Sequence, residues 1–226
     1  NVMSTGTHIQ TKKAEMIAAF LVDDLPGDDK NVLILARPFS GDTYNRVEKM
    51  DVYSGKRVPV ARSPVRNADY LADGNGVVRF AWGSDLQNAN KLYYRAADSS
   101  DWTKTEDWKE LNNEAASDHV EVPLGFSSDN RYAYLQVEQA SGPDAIVAFD
   151  TTDGSRKTVL HDSVGDPGWI IRALGKPHGA PVGAFIAGGK PHTVFFDYGS
   201  DEARLYASLE AAFPGNAVAI TSKTSD

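Results

Sequence analysis

Short apolar runs, each closed by a cluster of Asp, Gly, Asn, Pro or Ser, set the rhythm of this chain. The run 16–22 stops at 23–29, where Pro26 presets φ and Gly27 supplies a positive one, and a second run follows at 31–36. Such runs predict strands joined by tight turns. The segment 68–72, the turn Asp73-Gly74-Asn75-Gly76, and the runs 77–83 and 91–95 predict a second set. The polar stretch 98–108 predicts a short helical turn capped by Thr105. A third set runs from 120–126 through the turn 127–131 to 132–137. A fourth opens near Trp169 and continues through 181–186 and 192–196. One helix is predicted: Ser200 caps it, Asp201 and Glu202 sit where the helix dipole favours anions, and Leu205, Leu209 and Phe213 share one face. Pro214-Gly215 ends it, and a last strand is expected at 217–222.

Two of these stretches rhyme. Residues 47–60 and 145–160 each read as an apolar strand, an Asp (Asp51, Asp150), a three-residue turn, a Gly (Gly55, Gly154) and a strand led by basic residues. Self-similarity at long spacing is a signature of repeat architectures. The predicted fold is mainly all-β: a partial β-propeller of about four blades, each a four-stranded antiparallel sheet, with one short helix near 200–213. The blades are expected at 14–62, 66–110, 118–162 and 166–226 of a single domain, 1–226. A closed propeller takes ~4 to 8 blades, so the pattern fits either a very small ring or, preferably, a piece of a larger one. A β-sandwich is the main alternative.

Charge and composition narrow the partners. The net charge of −8 lacks the basic footprint that nucleic acid requires. There is no cysteine, hence no disulfide or thiolate chemistry, and the redox compartment, periplasmic or cytoplasmic, stays open. No run approaches the ~18 apolar residues of a membrane span, so no membrane partner is expected. The start, Asn1-Val2-Met3, carries no signal segment and reads as trimmed, which leaves a removed signal peptide open.

The candidate chemistry is sparse. A nucleophile elbow has the form G-x-S-x-G, but Tyr198 and Glu202 flank Ser200 where the glycines belong, so Ser200 reads as a helix cap. His8, His119, His161, His178 and His192 form no close pair, and no metal site is expected. Asp23, Asp24, Asp28 and Asp29 lack the order of a calcium loop and have Pro26 among them; they read as a solvated turn. Gly188-Gly189-Lys190 lacks the upstream Gly and the following Ser or Thr of a phosphate loop and reads as a hairpin turn. No catalytic residue and no cofactor is assigned. Of the four tryptophans, Trp82 and Trp169 are expected in the core, whereas Trp102 and Trp108, in a polar loop, are the candidates for contact with a partner domain or peptide.

Four passages together resemble the propeller region of the prolyl-oligopeptidase family of serine peptidases, its acylaminoacyl-peptidase-like and dipeptidyl-peptidase-like members in particular. They are Asp24-Leu25-Pro26-Gly27-Asp28-Asp29 with its following strand, Met50-Asp51-Val52-Tyr53-Ser54-Gly55-Lys56, Asp73-Gly74-Asn75-Gly76-Val77-Val78-Arg79, and 205–226 with Leu209, Phe213, Val218, Ile220, Ser222 and Asp226. The resemblance implies a non-catalytic propeller that gates access and orients peptide substrates for a C-terminal α/β-hydrolase domain elsewhere in the parent chain. The rival is a stand-alone protein-binding propeller of the periplasmic Tol-associated type. A glycoside hydrolase built on paired carboxylates is a third reading, for which no pair can be nominated. Unpaired sheet edges in an isolated piece also predict association into a homodimer.

Overall fold

The structure, a computed structural model, describes residues 15–39, 41–99, 101–175 and 179–221. It is a mainly β protein, a partial β-propeller of four blades. Each sheet is an antiparallel meander in chain order. The first contains β1 (Ile17–Asp23), β2 (Asn31–Pro38), β3 (Arg46–Asp51) and β4 (Arg57–Arg62). The second contains β5 (Arg66–Ala72), β6 (Val78–Ser84), β7 (Asn90–Tyr94) and β8 (Lys109–Asn113), and a four-residue helix α1 (Glu114–Ser117) follows it. The third contains β9 (Glu121–Phe126), β10 (Tyr132–Val137), β11 (Ala145–Asp150) and β12 (Arg156–His161). The fourth contains β13 (Pro167–Arg172), β14 (Pro181–Ile186) and β15 (His192–Phe195), followed by α2 (Asp201–Ala212).

The core is a series of slabs between consecutive sheets. Leu33, Leu35, Val47 and Ala61 of the first sheet meet Ala68, Tyr70, Val78 and Ala81 of the second. Phe80, Leu92 and Tyr94 then meet Phe126, Leu135 and Phe149 of the third. Ile146 and Leu160 meet Ala184 and Ile186 of the fourth. Phe80 and Ala81 are neighbours in sequence but belong to different slabs, because successive strand residues point to opposite faces. This is why β6 reads as a continuous apolar run: the second sheet is buried on both sides. The first strands β1, β5 and β9 contact one another in that order, as inner strands of adjacent blades do, and β9 meets β14 of the fourth sheet.

Three expectations need correction. Among the described residues the fourth sheet has three strands. The segment 217–221 forms no strand; the Ile220 amide donates to the Tyr206 hydroxyl (3.2 Å), which ties the segment to the helix instead of to a sheet edge. Ser222 and Asp226, quoted for the resemblance, lie outside the described residues. The helix forms as expected, with Ser200 Oγ accepting from the Ala203 amide, but its buried face is Ala203 and Tyr206. Leu205 and Phe213 are exposed, because the short Ala203 lets the helix sit close to the sheet and brings the Tyr206 ring against Phe195. Finally, Thr105 opens a 3₁₀ turn (Thr105–Asp107) but does not cap it; Lys104 holds that position and no side chain caps the turn.

Candidate functional site

The tryptophans divide differently from the sequence expectation. Trp108 is buried at 6 % exposure in the slab between the first two sheets. Its indole N–H donates to the Arg62 carbonyl (2.9 Å), and the Arg95 guanidinium stacks over its ring at 4.8 Å. Arg95 itself donates to the carbonyls of Val78 (2.8 Å) and Val60 (3.1 Å). Both groups therefore bind carbonyls of β4, so Trp108 and Arg95 staple the second sheet to the first. Trp108 is a core side chain with almost no surface to offer a partner, because Arg62, Arg95 and the apolar residues of the first two sheets enclose it. Burial holds the Arg95 pKa below the usual guanidinium range. Trp102 is half-buried, and Trp82 packs half-buried against the second slab.

Trp169, expected in the core, is 54 % exposed. Register places it with Phe185 and Thr193 on the face of the fourth sheet turned away from the third. With Ile171, Tyr206 and the segment 217–219 they line an almost wholly apolar cleft of about 240 Å³. That is smaller than the usual span of ligand pockets, roughly 300–1,000 Å³, and among the described residues only Thr193 and Tyr206 bring polar atoms to its lining. Its form is that of a gap between a sheet and the helix laid over it. The first sheet also has an incompletely covered outer face. There Leu21 is 67 % exposed, while beside it Glu48 is buried and held by Arg46 Nε (2.7 Å) and Arg57 Nη1 (3.0 Å).

The ends of the strands carry most of the polar chemistry. At one end the first-to-second-strand turns touch in a row: Leu25 lies against Gly76, and the Gly74 amide donates to Asn130 Oδ1 (2.8 Å). The Asp23–Asp29 cluster belongs to this row. Asp28 binds Asn31 and the Lys49 ammonium (2.9 Å), and Asp23 accepts the Leu25 amide (2.7 Å), the bonding of a turn. Among the described residues, no group of three His, Asp or Glu side chains is placed to hold a metal ion.

The described histidines act in separate places. His161 is exposed. His119 reaches the Ser117 carbonyl and Glu121 Oε1 (3.0 and 3.2 Å), and Glu121 is also bound by Arg156 (2.7 Å). His192 bonds Asp162 and the Lys190 carbonyl. His8 and His178 lie outside the described residues. Ser200 spends its hydroxyl on the helix cap, and Gly188-Gly189-Lys190 is the turn between β14 and β15, with Gly189 at φ +63°. The described residues therefore present structural staples and turn locks, and sequence reasoning missed Arg95 and Arg172. The latter donates to the Leu124 carbonyl (2.8 Å) on β9. A lone Arg at a strand end gives no sign in sequence of which carbonyl it reaches.

No protein-family model matches the chain. It is similar to dipeptidyl aminopeptidase BIII of Pseudoxanthomonas mexicana, with 26% identity over 192 residues, covering 81% of this chain and 25% of that protein. The chain thus spans about a quarter of the length of the curated relative it matches. Among solved structures, the crystal structure of TolB from Acinetobacter baumannii superposes with a TM-score of 0.43 and 14% identity, covering 74% of this chain and 41% of that one. The chain is a propeller-type domain with weak similarity to a dipeptidyl aminopeptidase.

Proposed function

We propose that this chain is the propeller part of a serine peptidase, where it gates access and orients peptides for a hydrolase domain elsewhere in the same protein. The similarity to a dipeptidyl aminopeptidase carries the reading: it extends over 81% of this chain but over only 25% of the relative, and the chain has no nucleophile elbow of its own. Surface exposure agrees. In a propeller the faces of a blade are covered by its neighbours, yet Leu21 on the first sheet and Trp169 on the fourth stand open. Further blades of the same polypeptide packing on those two faces would complete the ring. A narrow ring admits extended peptides and rejects folded proteins. Trp102, half-buried in its polar loop, keeps surface for the hydrolase domain or the peptide; Trp108 does not.

Reading the encoding gene past Asp226 tests this directly. A downstream G-x-S-x-G followed by Asp and His is expected; a stop codon or further blades alone would replace the reading with a protein-binding propeller. The chain by itself should hydrolyse no dipeptidyl substrate, and turnover that a serine-directed inhibitor abolishes would overturn that part.

A further inference from the structure

His192 is the first residue of β15 and lies on the face of the fourth sheet turned toward the third. Its Nε2 is 2.8 Å from Asp162 Oδ2 and its Nδ1 is 3.0 Å from the Lys190 carbonyl oxygen. Both partners are acceptors. A neutral imidazole has one N–H and would aim a lone pair at one of these oxygens; only the imidazolium donates to both. Asp162 is anchored as well. Its Oδ1 accepts the amides of Val164 (2.8 Å) and Gly165 (3.2 Å).

These contacts fall where the chain crosses from the third sheet to the fourth. The crossover packs backbone to backbone on the β14–β15 turn: a Cβ on Gly188 would stand 2.7 Å from the Gly165 Cα. From the other side, Asp166 Oδ1 accepts the Asp144 amide (2.8 Å) in the third sheet. The charged group bonded to the ring is Asp162 from the crossover; Glu210 of α2, which accepts from Thr193 Oγ1 (2.8 Å) on the opposite face of the sheet, adds only a charge effect, and the Lys190 side chain is exposed.

We propose that protonated His192 is a pH-sensitive clamp that pins the crossover between the third and fourth sheets and releases it on losing its proton. The Lys190 carbonyl, then Asp162, hold the His192 pKa above its ordinary 6.5, and the Val164 amide and His192 hold Asp162 below its usual range. A raised folded value means that the clamp's stabilisation is complete below pH 6.5 and fades as pH rises through the folded value. The surrounding carboxylates favour the cation, and the 39 % exposure of the ring lets solvent exchange the proton freely.

The test is an NMR titration of the whole chain, following the His192 ring together with the protection factors of the Val164 and Gly165 amides. His192 should titrate above 6.5, and protection at both amides should fall across the same transition, by about tenfold for each unit of upward shift. The Val52 amide in the first sheet should hold its protection, which separates clamp release from global unfolding. Asp162→Asn should bring the titration back toward the ordinary value, and His192→Gln should make crossover protection independent of pH. If His192→Gln does not fold, the wild-type titration decides alone. Titration at or below 6.5, or crossover protection unchanged through it, would overturn the clamp.

Discussion

Asp51 in the first sheet and Asp150 in the third hold the same corner of the same hairpin. Asp51 Oδ1 accepts the amides of Tyr53 (3.0 Å) and Ser54 (2.9 Å), while Oδ2 pairs with Lys30 (3.2 Å). Asp150 Oδ1 accepts the Thr152 amide (2.9 Å) and hydroxyl (2.5 Å), while Oδ2 takes both Nε and Nη2 of Arg131 (3.0 and 2.9 Å). The next residue donates its amide to the carbonyl of that same base: Val52 to Lys30 and Thr151 to Arg131, both at 2.9 Å. Gly55 and Gly154 close the turns at φ +67° and +76°, conformations that side-chain-bearing residues rarely adopt. One carboxylate thus locks a hairpin and ties it to the start of the second strand.

This lock gives an acid-stability signature. The Thr152 hydroxyl, then its amide and Arg131, hold the Asp150 carboxyl down to about 2, against an ordinary 3.8. Because the folded value is depressed, the contribution is present above pH 3.8 and is lost as pH falls toward 2. Asp150→Asn should lower stability at neutral pH and flatten the decline between those limits. Urea unfolding across that window checks it; identical slopes for the two proteins would refute the lock.

Trp108 and Trp102 should respond differently to truncation. Trp108→Ala empties a buried site, removes the bond to the Arg62 carbonyl and unstacks Arg95, and should cost about 3–5 kcal/mol. Trp102→Ala, at a partly exposed side chain in a polar loop, should cost about 1 kcal/mol or less. Denaturant midpoints at constant m-value decide between this division and the reverse.

Arg95 bonds to backbone carbonyls and, among the described residues, to no carboxylate, so Arg95→Met should keep its bulk yet orphan the Val60 and Val78 carbonyls, at a cost of roughly 2–4 kcal/mol. The loss should be non-additive with Trp108→Ala, since both remove one staple. A double-mutant cycle reads the coupling, and strict additivity would mean that the stacking contributes nothing.

The open faces predict self-association of the isolated chain. Leu21 and Trp169 should draw copies together as concentration rises, and Leu21→Glu or Trp169→Glu should shift the mass toward monomer. Light scattering over a hundredfold concentration range measures it; a monomer throughout would remove the faces as contact surfaces.

Strands and turns were legible because local chemistry dictates them. The hairpins at 47–60 and 145–160 announce themselves through an Asp that bonds its own turn and a Gly that supplies positive φ. Ser200 capped its helix for the same local reason. β8, with the sequence Lys-Glu-Leu-Asn-Asn, and the four-residue α1 left no such trace, since pairing with β7 and not pattern makes β8 a strand. The tryptophans and the helix face were decided elsewhere. Burial of Trp108 depends on Arg62 and the first sheet around it, which meet it only when two sheets stack, and exposure of Trp169 depends on which face of the fourth sheet is covered. Spacing alone put Leu205, Leu209 and Phe213 on the helix stripe, yet the sheet beneath selected Ala203 and Tyr206.

The meander of short strands, the Asp-locked hairpins and the absence of a nucleophile elbow follow from local chemistry, because each is settled within a few residues of chain. The stacking of the sheets settles which polar groups join the blades, where the apolar faces remain open, and that both nitrogens of His192 meet acceptors. Those outcomes depend on contacts between residues far apart in sequence, whose distances no local pattern encodes.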